Sequence, residues 1–230
     1  IFMLADDIGW IAMVFSALLV GAACGAINGV LVAYGRIVPF IATLAMLASA
    51  RGLAEIISDR KTQIIRNQGF TDFFRAEPFG IPVIVVMFAL VTVAGWFLLN
   101  RTTFGRRTFA VGGNPEAARL AGIKVQRHTV YLYTLLGVTC GIAAIMLMSR
   151  TTTGTSTHGL YYELDAIAAV VIGGTLLSGG RGTVVGTLFG VLIFTTLTNV
   201  FTLNNLSTSS QAVAKGVIIV NNAYDHRFIM

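Results

Sequence analysis

The chain has 230 residues, 55% of them hydrophobic and only 11% charged, with a formal net charge of +6 and a mean hydropathy of +0.79. A soluble domain carries about 25% charged residues, so this composition excludes a water-covered globule. It predicts a polytopic, all-α bundle in which length counts membrane spans, with residues 1–230 forming a single transmembrane domain.

The opening, IFMLADDIGW, has no initiating Met and no basic n-region, so it does not read as a signal peptide. It reads as the middle of a protein whose earlier spans precede it. A span needs roughly 20 apolar residues. Ile11 to Val32 qualifies, interrupted only by Ser16 and Asn28. Gly21, Gly25 and Gly29 recur every fourth residue along it, a stripe that lets a neighbouring helix approach closely. Arg36 then marks a cytoplasmic end. Pro39 to Ile57 follows after a short turn, antiparallel to the first helix, with Arg51 and Glu55 one turn apart and spaced to pair. The 58–80 segment is polar, with Arg60, Lys61, Arg66 and Arg75 against Asp59, Asp72 and Glu77. That near balance suits the extracytoplasmic side. Ile81 to Leu99 is an uninterrupted span.

Asn100 to Arg127 is the longest polar interruption between strongly apolar segments. It carries Arg101, Arg106, Arg107, Arg119, Lys124 and Arg127 against Glu116 alone. Positive loops stay cytoplasmic, which accounts for much of the net charge without a nucleic-acid partner. A short helix is marked within it. Asn114 is a good N-cap and Pro115 suits the first helical position. Gly122 can adopt the left-handed conformation that ends a helix. Pro115 to Ala121 is thus expected to be helical, about 10 Å long. An isolated helix so short is unstable in water, so it needs a partner. Glu116 and Arg119 are spaced to pair, and Ala117, Leu120 and Ala121 offer a small-residue surface. Two readings follow: a cytoplasmic docking helix, or a connecting loop with one helical turn.

Val130 to Met148 returns across the membrane and carries Gly137 and Gly141, again four apart. Arg150 to Tyr162, rich in Thr and Gly, reads as an outer loop. The apolar run Ala166 to Ile172 is too short to span, and Gly173–Gly174 and then Ser178-Gly-Gly-Arg-Gly182 break it. Irregular backbone at membrane depth survives only when buried in protein or facing water. A broken, half-length helix is therefore expected over 163–182, near the centre of the protein. Thr183 to Leu203 is a further span, and Gly182, Gly186 and Gly190 make a third stripe. Asn204 to Gln211 is a polar loop. Ala212 to Val220 opens a last helix, and 221–230 is an atypical polar tail. Seven membrane segments are expected in all. If each crosses once, Arg36, the 100–127 segment and Arg181 share one side, and the mixed-charge and neutral loops share the other.

No catalytic constellation is present. The sequence has no His-Glu-x-x-His and no Walker P-loop, so the chain is not expected to hydrolyse ATP itself. Gly179-Gly180-Arg181-Gly182 lacks the Lys-Ser/Thr of a phosphate loop and reads as a structural break. Cys24 and Cys140 lie in apolar runs and read as small hydrophobes. His128, His158 and His226 form no metal-ligand motif, so neither a metal nor a cofactor is expected in this chain. Ionisable groups within a membrane are functional candidates; for Arg51 and Glu55 the alternative is an internal salt bridge. Glu163 and Asp165 suit a helix N-terminus, where negative charge is favoured. Asn28, Thr175, Ser178, Thr195, Thr196 and Asn199 either line a polar path for an uncharged cargo or make helix–helix hydrogen bonds. The glycine stripes read as packing.

Gly113-Asn-Pro-Glu-Ala-Ala-Arg-Leu-Ala-Gly-Ile123 resembles the Glu-Ala-Ala loop of ABC importer permeases. More narrowly, three stretches resemble the sugar-type permeases of ribose, xylose and galactose importers. They are Asn28-Gly-Val-Leu-Val-Ala33 with Pro39-Phe-Ile-Ala-Thr-Leu44 and Ala50-Arg-Gly-Leu53; Gly105 to Ile123; and Tyr162-Glu-Leu-Asp-Ala-Ile-Ala-Ala-Val-Val-Ile-Gly-Gly-Thr175 with Leu177-Ser-Gly-Gly-Arg-Gly-Thr183 and Lys215-Gly-Val-Ile-Ile219. The resemblance implies a permease subunit in the bacterial inner membrane, surrounded by lipid. It implies a second permease copy, a cytoplasmic ATPase that binds ATP and Mg, and an extracytoplasmic binding protein that delivers a monosaccharide. It assigns Asn114, Pro115, Glu116, Ala117, Ala118 and Gly122 to the ATPase contact. The alternatives are an ion-coupled secondary transporter, a membrane-embedded enzyme, and an ABC permease for amino acids or nucleosides.

Overall fold

The computed structural model describes residues 9–65, 67–206, 210, 211, 213, 216 and 217. The expected first spans before Ile11, most of the last helix from Ala212 and the 221–230 tail lie outside the described residues. The described chain is helical: α1 Trp10–Ala33, α2 Pro39–Ser58, α3 Gln68–Arg75, α4 Val83–Arg101, α5 Thr103–Gly113, α6 Pro115–Leu120, α7 Val125–Thr151, α8 Tyr162–Ile172 and α9 Val184–Leu203. Among the described residues the only strands are β1 Gln63–Ile64 and β2 Thr153–Gly154.

Five of these helices, α1, α2, α4, α7 and α9, are long and apolar enough to cross a membrane. Their side chains are not withdrawn into a core: Phe15, Leu90, Val93, Phe97, Leu192 and Ile193 all stand exposed. In water such surfaces would aggregate; in hydrocarbon they are the expected outer face. The all-α polytopic expectation holds. Of the seven expected segments, five are these spanning helices and one is the broken α8, while the last, from Ala212, lies mostly outside the described residues. α8 is the broken segment, with 11 residues, about 16 Å of helix and roughly half a bilayer core.

The chain divides into two compact units, one formed by the described residues up to Ala89 with Gly122–His158, the other by Leu90–Ala121 with the described residues from Gly159 on. In the first unit, the glycines expected on two separate stripes face each other. A Cβ on Gly21 would run into the carbonyl of Gly137, and one on Gly25 would meet the carbonyl of Tyr133. On Gly29 it would sit 2.8 Å from the Val130 Cα, and on Gly141 2.8 Å from the Ala17 carbonyl oxygen. These pairings run in opposite directions along the chain, so α1 and α7 are antiparallel. Lipid tails are as apolar as the helices, so association depends on close packing rather than on expelling water. One seam of glycine against backbone supplies it.

At the end of this pair that carries Met13 and Ile145, the 59–80 segment closes over the helices. The sequence reading left this segment as loop, but it contains α3, capped by Asn67, whose Oδ1 accepts from the Phe70 N–H at 3.2 Å. Phe70 and Phe74 are buried beside Met13, Ala17, Ile65 and Ile145, and Phe73 stacks on Trp10 with centroids 5.2 Å apart. β1 pairs antiparallel with β2, Gln63 opposite Gly154 and Ile64 opposite Thr153. The two segments assigned from charge to the extracytoplasmic side thus meet.

Two charge pairings differ from expectation. Glu55 Oε2 lies 3.6 Å from Arg60 Nε, not in a pair with Arg51. Asp59 and Arg60 both have positive φ, and this reversal brings Arg60 back over the end of α2. Glu116 and Arg119 form no ion pair; among the described residues the ion pairs are Arg60–Glu55 and Lys61–Asp59.

Candidate docking segment and polar path

The second unit holds the basic arm up to Ala121 and the broken helix. The arm is more ordered than its composition suggested. α4 continues to Arg101, whose guanidinium carbon lies 5.6 Å from the centre of the Trp96 ring, a contact suited to a helix end at an interface. Thr102 then caps α5, its Oγ1 accepting from the Gly105 N–H at 3.3 Å. Gly105 is required by closeness: any Cβ there would collide with the backbone of Leu99. α5 (TFGRRTFAVGG) was not foreseen, because its three glycines and two arginines read as loop composition.

Asn114 joins α5 to α6. Its N–H donates to the Ala110 carbonyl at 3.0 Å, closing α5, and its Oδ1 accepts from the Ala117 N–H at 3.0 Å, opening α6. Pro115 occupies the first turn, as the sequence predicted. Gly122 has φ +84°, the left-handed stop. α6 itself ends at Leu120, with Ala121 as its C-cap. Asn114, Pro115, Glu116, Ala117, Ala121 and Gly122 are exposed, and Leu120 is 88% exposed. Ala118 is the exception among the expected contacts. At 4% exposure it is turned inward.

The broken segment follows the same logic. Glu163 and Asp165 lie in the first turn of α8, where they favour the helix dipole. Gly174, with φ +82°, ends α8, and Gly173 before it packs on α9: a Cβ on Gly173 would lie 2.5 Å from the Gly186 carbonyl oxygen. Gly186 and Gly190 in turn face the carbonyls of Gly173 and Ala169. Gly182 does not belong to that stripe. It precedes the N-cap Thr183, whose Oγ1 accepts from the Gly186 N–H at 3.0 Å, and an added Cβ would meet the Thr175 side chain at 2.8 Å. The chain between the helices folds on itself: the Leu176 N–H donates to the Arg181 carbonyl and the Gly179 N–H to the Leu176 carbonyl, each at 3.0 Å.

The polar-path candidates are not gathered at one point. Thr195 and Asn199, one turn apart on α9, share an exposed stripe flanked by Thr196. Ser178 is exposed at the break, and Thr175 is half-buried against Gly182. Asn28, in the first unit, is different. Its Oδ1 is fully buried without a hydrogen-bond partner among the described residues, a condition that costs about 1–3 kcal/mol. Among the described residues no group of His, Cys, Asp and Glu is placed to hold a metal.

The residues overlooked by sequence reasoning are Gly112 and Gly113 as a contact site. Both lie against the 178–182 break, Gly112 with an ideal Cβ 2.8 Å from the Gly180 nitrogen. Two Gly-Gly pairs, 112–113 and 179–180, are the available signal, but in sequence alone they read as a loop and a break.

Comparison with known proteins gives the family. The permease component of branched-chain amino acid transport systems matches residues 1–220. The ribose import permease protein RbsC of Bacillus subtilis is 48% identical over 195 residues, 84% of this chain and 61% of the relative. Its Escherichia coli K12 counterpart is 40% identical over 221 residues, 93% of this chain and 68% of the relative. The Escherichia coli L-arabinose transport system permease protein AraH is 41% identical over 194 residues, 84% of this chain and 59% of the relative. The chain thus spans about three fifths to two thirds of the length of these relatives. No solved structure matches. With its five spanning helices, the chain is an integral membrane protein and belongs to the family of branched-chain amino acid transport system permease components.

Proposed function

We propose that the chain is the membrane-spanning part of an ATP-driven importer for a monosaccharide. The observation that carries this is α6: a two-turn helix, capped at both ends, held out on a basic arm with Leu120 bare. A water-soluble surface has no use for that side chain; a partner protein does. The partner is a cytoplasmic ATPase, which supplies the ATP and Mg site, gripped by Pro115, Glu116, Ala117, Leu120 and Gly122. A second copy of the permease completes the pathway in the inner membrane, and an extracytoplasmic binding protein delivers the cargo. The 100–127 arm is cytoplasmic and the 58–80 segment extracytoplasmic. The chain makes and breaks no bond in its cargo.

Relatives named for ribose and arabinose favour a sugar. The uncharged exposed polar stripe of Thr195, Thr196 and Asn199 suits hydroxyl groups better than an ion. A second reading, amino-acid cargo, has the family description on its side. The test reconstitutes the permease with its ATPase in proteoliposomes and adds binding protein loaded with ribose, arabinose or a branched-chain amino acid. Stimulation of ATP hydrolysis and uptake by a sugar alone is expected. Uptake driven by an ion gradient without ATP would overturn the importer reading, and stimulation by the amino acid alone would replace the cargo.

A further inference from the structure

We propose that the glycine contact between the end of α5 and the 178–182 break is the joint that carries a load from α6 to α8 and α9, making Gly112 and Gly180 positioning residues for transport. This rests on the reading of α6 as the ATPase-docking helix.

The contact is backbone on backbone. A Cβ on Gly112 would lie 2.8 Å from the Gly180 nitrogen; one on Gly179, 3.3 Å from the Gly112 Cα; one on Gly180, 2.7 Å from the Gly113 Cα. No flexible side chain lies between the two segments to absorb a displacement. Packed backbone is stiff, so it passes a shift on rather than damping it. Gly179 and Gly180 hold φ of +92° and +77°, conformations that L side chains rarely adopt, so two requirements converge on glycine there.

Both sides of the contact are tied to what they would move. On the arm side, Asn114 closes α5 and opens α6 with the same residue, so a tilt of α6 levers on Gly112 two residues away. On the other side, the break is closed by the Leu176–Arg181 and Leu176–Gly179 backbone hydrogen bonds. It leads through Gly173, packed on Gly186, into α8 and α9. The arm from Leu90 to Ala121 and the described residues from Gly159 on form one compact unit. A mechanical route therefore runs from Leu120 through Asn114, Gly112 and Gly180 to the half-length helix without leaving that unit.

Gly113 supplies an internal control, because a Cβ there would sit 3.8 Å from the Gly180 Cα, an ordinary contact. The experiment compares Gly112→Ala, Gly112→Val and Gly113→Ala in the reconstituted importer, reading three quantities: ATPase recovered with the permease, basal ATP hydrolysis, and hydrolysis and uptake stimulated by loaded binding protein. Gly112→Ala is expected to keep recovery and basal hydrolysis near wild type while losing about tenfold in stimulated uptake, a coupling loss of ordinary allosteric size. Gly112→Val should lose more, and Gly113→Ala little. A merely structural role would lower all three quantities together. Wild-type stimulation in Gly112→Ala would overturn the joint. So would loss of ATPase recovery from a folded Gly112→Ala permease, or failure of that variant to fold. Glu116→Lys separates the underlying reading: full ATPase recovery with that charge reversal would remove the docking role itself, whatever Gly112 does.

Discussion

The α1–α7 seam and the joint between α5 and the 178–182 break are both made of glycine against backbone, yet they hold different kinds of structure together. The seam locks two long antiparallel helices along several turns, from Ala17 opposite Gly141 to Gly29 opposite Val130. Every turn repeats the same contact, so the pair behaves as one rigid rod. The joint is a single point between the end of one helix and an irregular turn. It fixes where two segments touch, so a shift of one is passed to the other at that place alone. The same residue type therefore serves as a weld where it repeats every four residues and as a single rigid joint where it occurs as one Gly-Gly pair facing another.

The comparison breaks most severely at the seam. Gly25→Leu places four extra carbons where a Cβ alone meets the Tyr133 carbonyl, so α1 and α7 must separate. Detergent-extracted yield and the size-exclusion profile should show loss of folded protein. Gly186→Leu strikes the shorter α8–α9 contact. It should also impair assembly, but by less, because overpacking costs about 1–3 kcal/mol where neighbours can shift and α8 is only 11 residues long. Equal yields for both variants would erase the difference between a repeated contact and a short one. The smallest effect belongs to the docking arm. Asn114→Ala removes the cap on α6 and should cost that helix about 1 kcal/mol. The overall fold should survive, with weaker ATPase recovery measured by titrating ATPase against immobilised permease. Recovery indistinguishable from wild type would mean that the cap does not hold α6 ready.

The sequence was most legible where one physical requirement dominated. Spans are fixed by apolar length: Ile11 to Val32 lies within a helix of 24 residues, and Val130 to Met148 lies within one of 27. Asn114 and Gly122 were legible because capping and left-handed stops are local chemistry. Reading faltered where competing signals met. α3 carries Phe70, Phe73 and Phe74 at helical spacing behind an Asn cap, but the surrounding mixed charge masked it. α5 carries two arginines, two threonines and three glycines, which argue for loop, and its order comes from contacts with Leu99 and Gly180 that no local pattern encodes. Spacing by four also continued through a helix boundary, so Gly182 was grouped with Gly186 although the helix begins after Thr183. Ala118 sat in the docking motif beside Ala117, and only the fold shows that one faces in and the other out. The seam was half legible: each glycine stripe could be read, but not that two of them are partners.

Site-specific crosslinking from α6 tests the docking role most directly. A photoreactive residue replacing Leu120, the most exposed large apolar side chain among the described residues, should crosslink to the ATPase subunit in the assembled, membrane-embedded importer, while the same probe at Leu203, 81% exposed at the end of a spanning helix, should not. Crosslinks from position 120 to lipid or to the extracytoplasmic binding protein, with none to the ATPase, would contradict the account.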